Sequence, residues 1–162
     1  MLMQKTDDSP TFNRDWNDFK VGFGNISGDY WLGNDQIHQL TKDDGYKVRV
    51  DIQAEVSTGQ SAWYWAEYST FIVGDESTNY QLLLDGYSGD AGDPLEYLNG
   101  TQFSTYDVDN DSGPDHCAVD YQGGFWHAAG CVWCGLTSAA NYFYSDGLEN
   151  NLQTAQMWLE CK

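Results

Sequence analysis

Alternating apolar and polar positions in the first half of the chain predict an antiparallel β-sheet. Val48, Val50 and Ile52 share one face of a strand, and the charged residues between them share the other face. This period of two is typical of a strand that is buried on one side and solvated on the other. Further strands are predicted at 63–73 and 80–84, and together these segments indicate an antiparallel meander. Residues 153–160 are expected to form a final strand that returns to the sheet.

Two short helices are predicted before the first of these strands. One is capped by Asn13 and runs through Phe19, since Asn is a favoured N-cap and apolar residues three apart follow it. The other is capped by Asn34 and spans residues 35–41. His38 lies on the flank of this second helix, where a histidine is expected to pack or to form a hydrogen bond rather than bind a ligand.

Residues 85–147 form a long segment with little periodicity, rich in Gly, Asp, Asn, Ser and aromatic residues. Order in such a segment is expected to come from a metal ion, a disulfide bond or both. Asp107, Asp109 and Asp111 occupy alternate positions within it, and their carboxylates would repel one another without a cation. Because Ca²⁺ binds about six to eight oxygens, the run predicts a calcium loop. A solvated acidic turn is the alternative.

Charge and length limit the classes of partner. The 162 residues fit a single domain, and 7 Lys and Arg against 25 Asp and Glu give a net charge of −18. Nucleic acid and anionic membrane surfaces would be repelled, so neither is an expected partner. No stretch approaches the ~18 apolar residues of a spanning helix, so membrane insertion is not expected. Abundant Trp and Tyr beside acidic residues are typical of sugar binding as well as of core packing.

The cysteines and sequons favour an extracellular protein. Four cysteines allow three complete pairings; they are Cys117, Cys131, Cys134 and Cys161. Three Asn-x-Ser/Thr sequons would accept glycans in a secretory pathway; they begin at Asn25, Asn99 and Asn110. The first residues lack the apolar core of a signal peptide. A secreted chain with its export signal removed, or a fragment of one, is therefore expected.

Spacing disfavours other uses of the cysteines and acids. Cys131 and Cys134 are spaced as a redox pair, but glycines flank them where a thioredoxin-like site needs a strand and a helix. A zinc site that combined them with His116, Cys117 and His127 would lack a familiar zinc spacing. No acid is distinguished as a glycosidase catalyst, and no Ser-His-Asp set or phosphate-binding loop is found. Catalysis is therefore not expected.

Seven motifs between residues 12 and 117 occur in the order found in one known family. They are Phe12-Asn13-Arg14-Asp15-Trp16, Gly22-Phe23-Gly24, Tyr30-Trp31-Leu32-Gly33-Asn34, Ile37-His38-Gln39-Leu40-Thr41, Arg49-Val50-Asp51, Tyr87-Ser88-Gly89-Asp90-Ala91-Gly92-Asp93 and Phe103-Ser104-Thr105 through Asp111. The chain resembles the fibrinogen C-terminal (fibrinogen-related) domain of ficolins, tachylectin-5-type lectins, angiopoietins and the fibrinogen chains. This resemblance implies an α+β fold class, with a mixed, mainly antiparallel sheet, short flanking helices and a loop-rich calcium-binding subdomain.

The resemblance also implies which residues hold the metal. In the family, two aspartate side chains and two backbone carbonyls bind Ca²⁺. The corresponding groups here are the side chains of Asp109 and Asp111 and the carbonyls of Gly113 and Asp115. Asp107 would support these ligands without contacting the ion. Calcium would act structurally, by ordering the neighbouring recognition surface.

The family pattern pairs Cys117 with Cys131, although this chain has one residue more between them. Cys134 is then expected to pair with Cys161, a cysteine that the family does not usually have, and intermolecular pairing is the alternative. In the acetyl-binding lectins of the family, a histidine follows the second cysteine of the first pair. Val132 occupies that position here, a departure that weakens the expectation of acetyl binding. The residues assigned to the ligand pocket are Tyr121, Trp126, His127, Gly130, Cys131, Val132, Tyr142 and Tyr144.

Residues 1–162 are expected to form one shortened domain that lacks the N-terminal subdomain of the family and part of its C-terminal loops. Residues 1–9 resemble the strand that follows the missing subdomain. The expected function is calcium-dependent recognition of acetylated or related glycans on microbial surfaces in innate defence. Sugar would stack on Trp126 or Tyr121, and a homo-oligomer would add avidity. The alternatives are a protein-binding module of angiopoietin or fibrinogen type that contacts a receptor or a peptide, and a degenerate domain without pocket function.

Overall fold

The computed structural model describes most of the chain. The described residues are 1–6, 12–55, 60–131, 135–139, 144–145, 148–149 and 152–162. Their strands are β1 (Met3–Lys5), β2 (Phe23–Gly24), β3 (Tyr30–Trp31), β4 (Tyr46–Glu55), β5 (Ser61–Val73), β6 (Leu82–Gly89), β7 (Phe103–Ser104), β8 (Phe125–Trp126), β9 (Tyr144–Ser145), β10 (Leu148–Glu149) and β11 (Leu152–Cys161). Their α-helices are α1 (Trp16–Val21), α2 (Asn34–Thr41) and α3 (Cys117–Asp120).

Seven of these strands form one antiparallel sheet, in the order β2-β3-β1-β11-β4-β5-β6. The short strands β7 and β8 pair with each other, as do β9 and β10. The predicted fold class, a mainly antiparallel sheet with short helices and a loop-rich region, is confirmed. β11 lies at the centre of the sheet, where Met157 is opposite Met3 of β1 and Val50 of β4.

The alternation in β4 is confirmed, because Val48, Val50 and Ile52 are all buried. The predicted final strand is also present and lies against β4 and β1. The strand predicted at 80–84 is wrong at its start, since β6 begins at Leu82. Tyr80 precedes it in a turn with a φ of 50°, a left-handed conformation that cannot continue a strand.

The two predicted helices are present, but their predicted caps are wrong. Asp15 caps α1, because its carboxylate accepts a hydrogen bond from the Asp18 backbone N–H at 2.8 Å. Asn34 is the first residue of α2, and its buried side chain accepts a hydrogen bond from Trp31 Nε1 at 3.0 Å instead of capping the helix. His38 is hydrogen-bonded to the Val73 carbonyl at 2.8 Å, as expected for a structural histidine.

A cluster of four buried aromatic rings joins the sheet to the loop-rich region. Phe103 on β7 lies 5.2 Å from Phe19 on α1, 5.7 Å from Trp31 on β3 and 5.1 Å from Trp126 on β8, measured between ring centroids. All four side chains are at most 1% exposed. Gly124 allows this packing, since a Cβ there would lie 2.5 Å from an atom of the Phe19 ring.

Gly124→Ala is expected to destabilise the fold by about 1–3 kcal/mol, the range for overpacking a filled core. Gly45→Ala is the matched control, because a Cβ there would meet nothing within 4 Å. Urea denaturation followed by tryptophan fluorescence measures both. Equal stabilities for the two variants would show that the Phe19 contact does not limit the fold.

Candidate functional site

The acidic loop, residues 107–115, begins in a tight turn beside β7. Thr105 and Val108 exchange two backbone hydrogen bonds of 2.9 and 3.1 Å, which presents Asp107 at the turn. The Asp107 carboxylate accepts hydrogen bonds from the Thr105 hydroxyl at 2.7 Å and from the Trp16 backbone N–H at 3.0 Å. Asp107 therefore ties this loop to the start of α1.

Asp111 connects the middle of the acidic loop to both of its ends. One carboxylate oxygen accepts a hydrogen bond from the Ser104 hydroxyl at 2.5 Å, and the other accepts one from the Cys117 backbone N–H at 2.8 Å. The neighbouring Asp109 carboxylate accepts from the Asp111 backbone N–H at 3.0 Å. These bonds fold the acidic residues into one compact turn.

The oxygens of this loop fit a hard cation. Asp109 and Asp111 supply carboxylates, and each carboxylate oxygen carries a second lone pair beyond the hydrogen bond that it accepts. Within the described part of the chain, the carbonyls of Gly113 and Asp115 accept no hydrogen bond. An all-oxygen set of this kind suits Ca²⁺ better than a soft transition metal.

The disulfide implied by the family resemblance is present. Cys117 and Cys131 are bonded, with their Cα atoms 5.3 Å apart. Their sulfurs lie close to the Asp111 carboxylate, but they offer no thiolate because they are joined to each other. His116 and His127 are engaged by backbone carbonyls at 3.0 and 3.2 Å, so the alternative zinc set is not assembled from these residues.

The expected second disulfide is not formed. Cys161 is a free and exposed cysteine at the end of β11. Its proposed partner, Cys134, lies outside the described residues. Two residues assigned to the ligand pocket, Val132 and Tyr142, also lie outside them, and only the backbone of Tyr144 is described, in β9.

Trp126, which was expected to stack on a sugar, is in the core, which corrects that assignment. Trp126 is 1% exposed and donates its indole N–H to the Tyr80 carbonyl at 2.7 Å, so neither ring face can stack on a sugar. His127 is 5% exposed. Tyr121 is half-buried, and its carbonyl accepts a hydrogen bond from the Ala139 N–H at 3.0 Å. Gly130 is exposed.

The structure brings together a different set of polar residues beside the acidic loop. A groove of about 490 Å³ lies between this loop and the residues that precede β7. It is lined by Asn99, Gly100, Thr101, Gln102, Asn110, Ser112 and His127. His127 was predicted as a pocket residue, whereas Asn99 was noted only as a sequon and Gln102 was missed. These residues meet only through the tertiary fold and carry no periodic signal.

Burial lowers the pKa of His127, and the nearby Asp111 carboxylate opposes this shift through its negative charge. The histidine is therefore neutral at neutral pH. Its Nε2 lies 3.2 Å from the Gly123 carbonyl, so Nε2 carries the proton and donates it to this hydrogen bond.

Comparison with known proteins places these features in context. The family described as "Fibrinogen beta and gamma chains, C-terminal globular domain" matches residues 1–162. Angiopoietin-related protein 7 of Bos taurus is 47% identical over 118 residues, which are 72% of this chain and 33% of that protein. Tenascin of Gallus gallus is 35% identical over 168 residues, which cover 98% of this chain but 9% of tenascin. The chain thus spans a third or less of the length of these relatives.

Two solved structures share the fold. The fibrinogen-like globe domain of human ANGPTL6 has a TM-score of 0.81 and 28% identity, covering 99% of this chain and 77% of that one. The lamprey fibrin D-dimer, complexed with the peptide ligand Gly-His-Arg-Pro-amide, has a TM-score of 0.72 and 26% identity, covering 98% and 59%. No helix in the described part of the chain is long and apolar enough to cross a membrane.

The pKa of His127 predicts how stability depends on pH. In the unfolded chain His127 binds a proton below about pH 6.5, whereas in the folded protein its lowered pKa keeps it neutral to a lower pH. The free energy of unfolding therefore falls as the pH drops from 7.5 to 5.5. His127→Gln keeps a side-chain N–H for the Gly123 carbonyl and removes the titration. Urea denaturation across this range is expected to show a shallower pH slope for the variant, by up to about 1.4 kcal/mol per pH unit. Equal pH slopes for the wild type and His127→Gln would contradict the lowered pKa of His127.

Proposed function

Because the chain belongs to the family of fibrinogen C-terminal globular domains, we propose that it is a protein-recognition module of this family, acting outside the cell. The observation that carries the proposal is the peptide held by a solved structure of the same fold, the lamprey fibrin D-dimer. The Cys117–Cys131 disulfide supports an oxidising, extracellular setting. Family membership supports a binding module rather than an enzyme.

The described surface supports protein recognition better than sugar recognition. Trp126, the residue expected to stack on a sugar, is buried. By contrast, Tyr106 and Val119, which flank the acidic loop in sequence, are 45% and 47% exposed. An exposed tyrosine is typical of the residues that dominate protein interfaces. With a net charge of −18, the chain would attract a basic partner at long range.

We further propose that the acidic loop binds Ca²⁺ and that the ion has a structural role. Asp109, Asp111 and the carbonyls of Gly113 and Asp115 would hold it. When bound, the ion would neutralise the crowded carboxylates. The chain's own contribution is positional: Asp111 holds the loop to Ser104 and Cys117, and Asp107 holds it to α1.

Substitutions of Asp107 and Asp109 are expected to distinguish the two roles of the loop, which are to hold the fold through hydrogen bonds and to bind Ca²⁺. In EDTA, Asp107→Ala should lower the free energy of unfolding by about 1–2 kcal/mol, because the Trp16 N–H loses its acceptor. Asp109→Ala should change it by less than about 0.5 kcal/mol. In excess Ca²⁺ the wild type should gain about 2.7 kcal/mol at 100 times the dissociation constant, and Asp109→Ala should lose most of that gain.

Urea denaturation of both variants with and without Ca²⁺ measures these effects, and calorimetry measures the binding itself. A wild-type chain that shows neither heat of binding nor stabilisation by Ca²⁺ would refute the calcium assignment. The protein-recognition proposal would survive that result.

Selection from a random peptide library, beside a glycan array read with and without Ca²⁺, tests protein recognition. We expect the library to yield peptides rich in Lys and Arg whose association slows as salt rises. We expect no calcium-dependent signal on the array. Tyr106→Ala should weaken the selected peptides about tenfold or more, whereas Trp63→Ala, at an exposed aromatic residue on β5, should not. Calcium-dependent array binding without peptide selection would reverse the conclusion in favour of a lectin.

A further inference from the structure

The described lining of the groove beside the acidic loop is uncharged, although the chain as a whole is strongly acidic. These residues carry amide, hydroxyl and imidazole groups, and none of them is Asp, Glu, Lys or Arg. Its volume of about 490 Å³ lies within the range of ligand sites. The ligand chemistry of this groove is therefore set by hydrogen bonding rather than by ion pairing.

Two lining amides are held so that their NH₂ groups remain as donors. The side-chain oxygen of Asn99 accepts a hydrogen bond from the Leu84 backbone N–H at 3.0 Å. The side-chain oxygen of Gln102 accepts one from Asn79 Nδ2 at 3.1 Å. These bonds fix which end of each amide faces the fold, and they leave Asn99 Nδ2 and Gln102 Nε2 to donate to a ligand.

Two further lining residues are held so that acceptors remain. Asn110 donates its Nδ2 to the Phe103 carbonyl at 2.7 Å, which leaves Oδ1. His127 donates Nε2–H to the Gly123 carbonyl, which leaves Nδ1. Both groups are anchored through the fold, so their free acceptor atoms are already oriented before a ligand binds.

His127 is the strongest sign that the groove has an occupant. The residue is 5% exposed, and Nδ1 has no hydrogen-bond partner among the described residues. In the same part of the chain, Asn34 Nδ2 is the only side-chain atom that is both fully buried and unpaired. Nδ1 of His127 is therefore reached from the groove, where a ligand N–H or O–H would satisfy it.

We propose that this groove binds main-chain amides of an extended, uncharged stretch of a partner protein. Two donors and two acceptors match the N–H and C=O groups that alternate along an extended peptide. A sugar is less suited, because no Trp, Tyr or Phe ring among the described residues lines the groove to stack on it. The inference rests on the proposed protein-recognition function and assigns a site to it.

The groove shares a wall with the acidic loop, because Asn110 and Ser112 belong to both. Asn110 is fixed by its bonds to Phe103 and to the Ser104 hydroxyl, which also binds Asp111. The position of the Asn110 acceptor therefore depends on the same network that folds the loop. This link gives the loop a direct part in recognition.

The test is an NMR titration of the ¹⁵N-labelled full chain, with Asn99 and Asn110 shown by intact mass to carry no glycan. The probes are acetyl-Gly-Gly-Gly-N-methylamide, which has amides but no charge or side chain, and N-acetylglucosamine. We expect the peptide to shift the side-chain NH₂ signals of Asn99 and Gln102 and the Nδ1 signal of His127. The sugar is expected to leave them unchanged.

Gln102→Leu removes one donor from the groove and should weaken the peptide about fivefold, the value of one net hydrogen bond. Gln39→Leu is the matched control on the exposed surface of α2 and should have no effect. If Gln102→Leu fails to fold, Ser112→Ala replaces it: this variant removes a hydroxyl from the groove lining, with an expected loss of about twofold or more. Shifts produced by the sugar alone, or by neither probe up to the solubility limit, would overturn the proposal.

The failure of this site can be distinguished from the failure of protein recognition as a whole. A library-selected peptide that binds Gln102→Leu as well as it binds the wild type would place recognition elsewhere on the molecule and reject the groove. A chain that selects no peptide and also fails to bind the neutral probe would reject both.

Discussion

Packing around the Phe103 ring is the contact on which the rest of the structure depends. This ring contacts Phe19 of helix α1, Trp31 of β3 near one edge of the sheet, and Trp126 of β8, the strand that pairs with β7. Each buried aromatic side chain removes about 150–250 Å² from water, and each ring pair adds roughly 0.5–1.5 kcal/mol. The loop-rich half of the chain has few strand pairings of its own, so it takes its position from these rings.

Carboxylates of the acidic loop add a second set of contacts that positions the loop-rich region. In a chain with a net charge of −18, clustered acids ordinarily oppose folding. Asp107 and Asp111 offset this effect: Asp107 accepts hydrogen bonds from the nearby Thr105 hydroxyl and the distant Trp16 N–H, and Asp111 accepts hydrogen bonds from Ser104 and Cys117, which lie on either side of the loop. Hydrogen bonds to a charged acceptor are about twice as strong as neutral ones. The acidic loop is thus a structural element in its own right, whether or not it also binds a metal.

The sequence predicted the sheet better than the site, for physical reasons. Strand β4 has one buried and one solvated face, so apolar and polar residues alternate along its sequence and predict the strand directly. The start of α1 was misplaced because Asn13 and Asp15 are both good caps, and the choice between them is made with Asp107, far along the chain.

The ligand pocket was less predictable because its signals are ambiguous. A tryptophan in a glycine-rich segment is compatible both with stacking on a sugar and with packing in the core. The structure shows that Trp126 is buried in the core. The groove depends on Asn99 and Gln102 approaching Asn110 and His127, and no local pattern encodes that approach. The family resemblance supplied the Cys117–Cys131 pair, which residue spacing alone left among three alternatives.

The central place of β11 has a consequence for how the molecule is made. Residues 152–161 fill the gap between β1 and β4, so the N-terminal strand has no neighbour on that side until more than 150 further residues have left the ribosome. Such distant pairings close slowly and leave strand edges open in the meantime. In a nascent chain, the edges of β1 and β4 that face this gap stay unpaired until residues 152–161 have emerged.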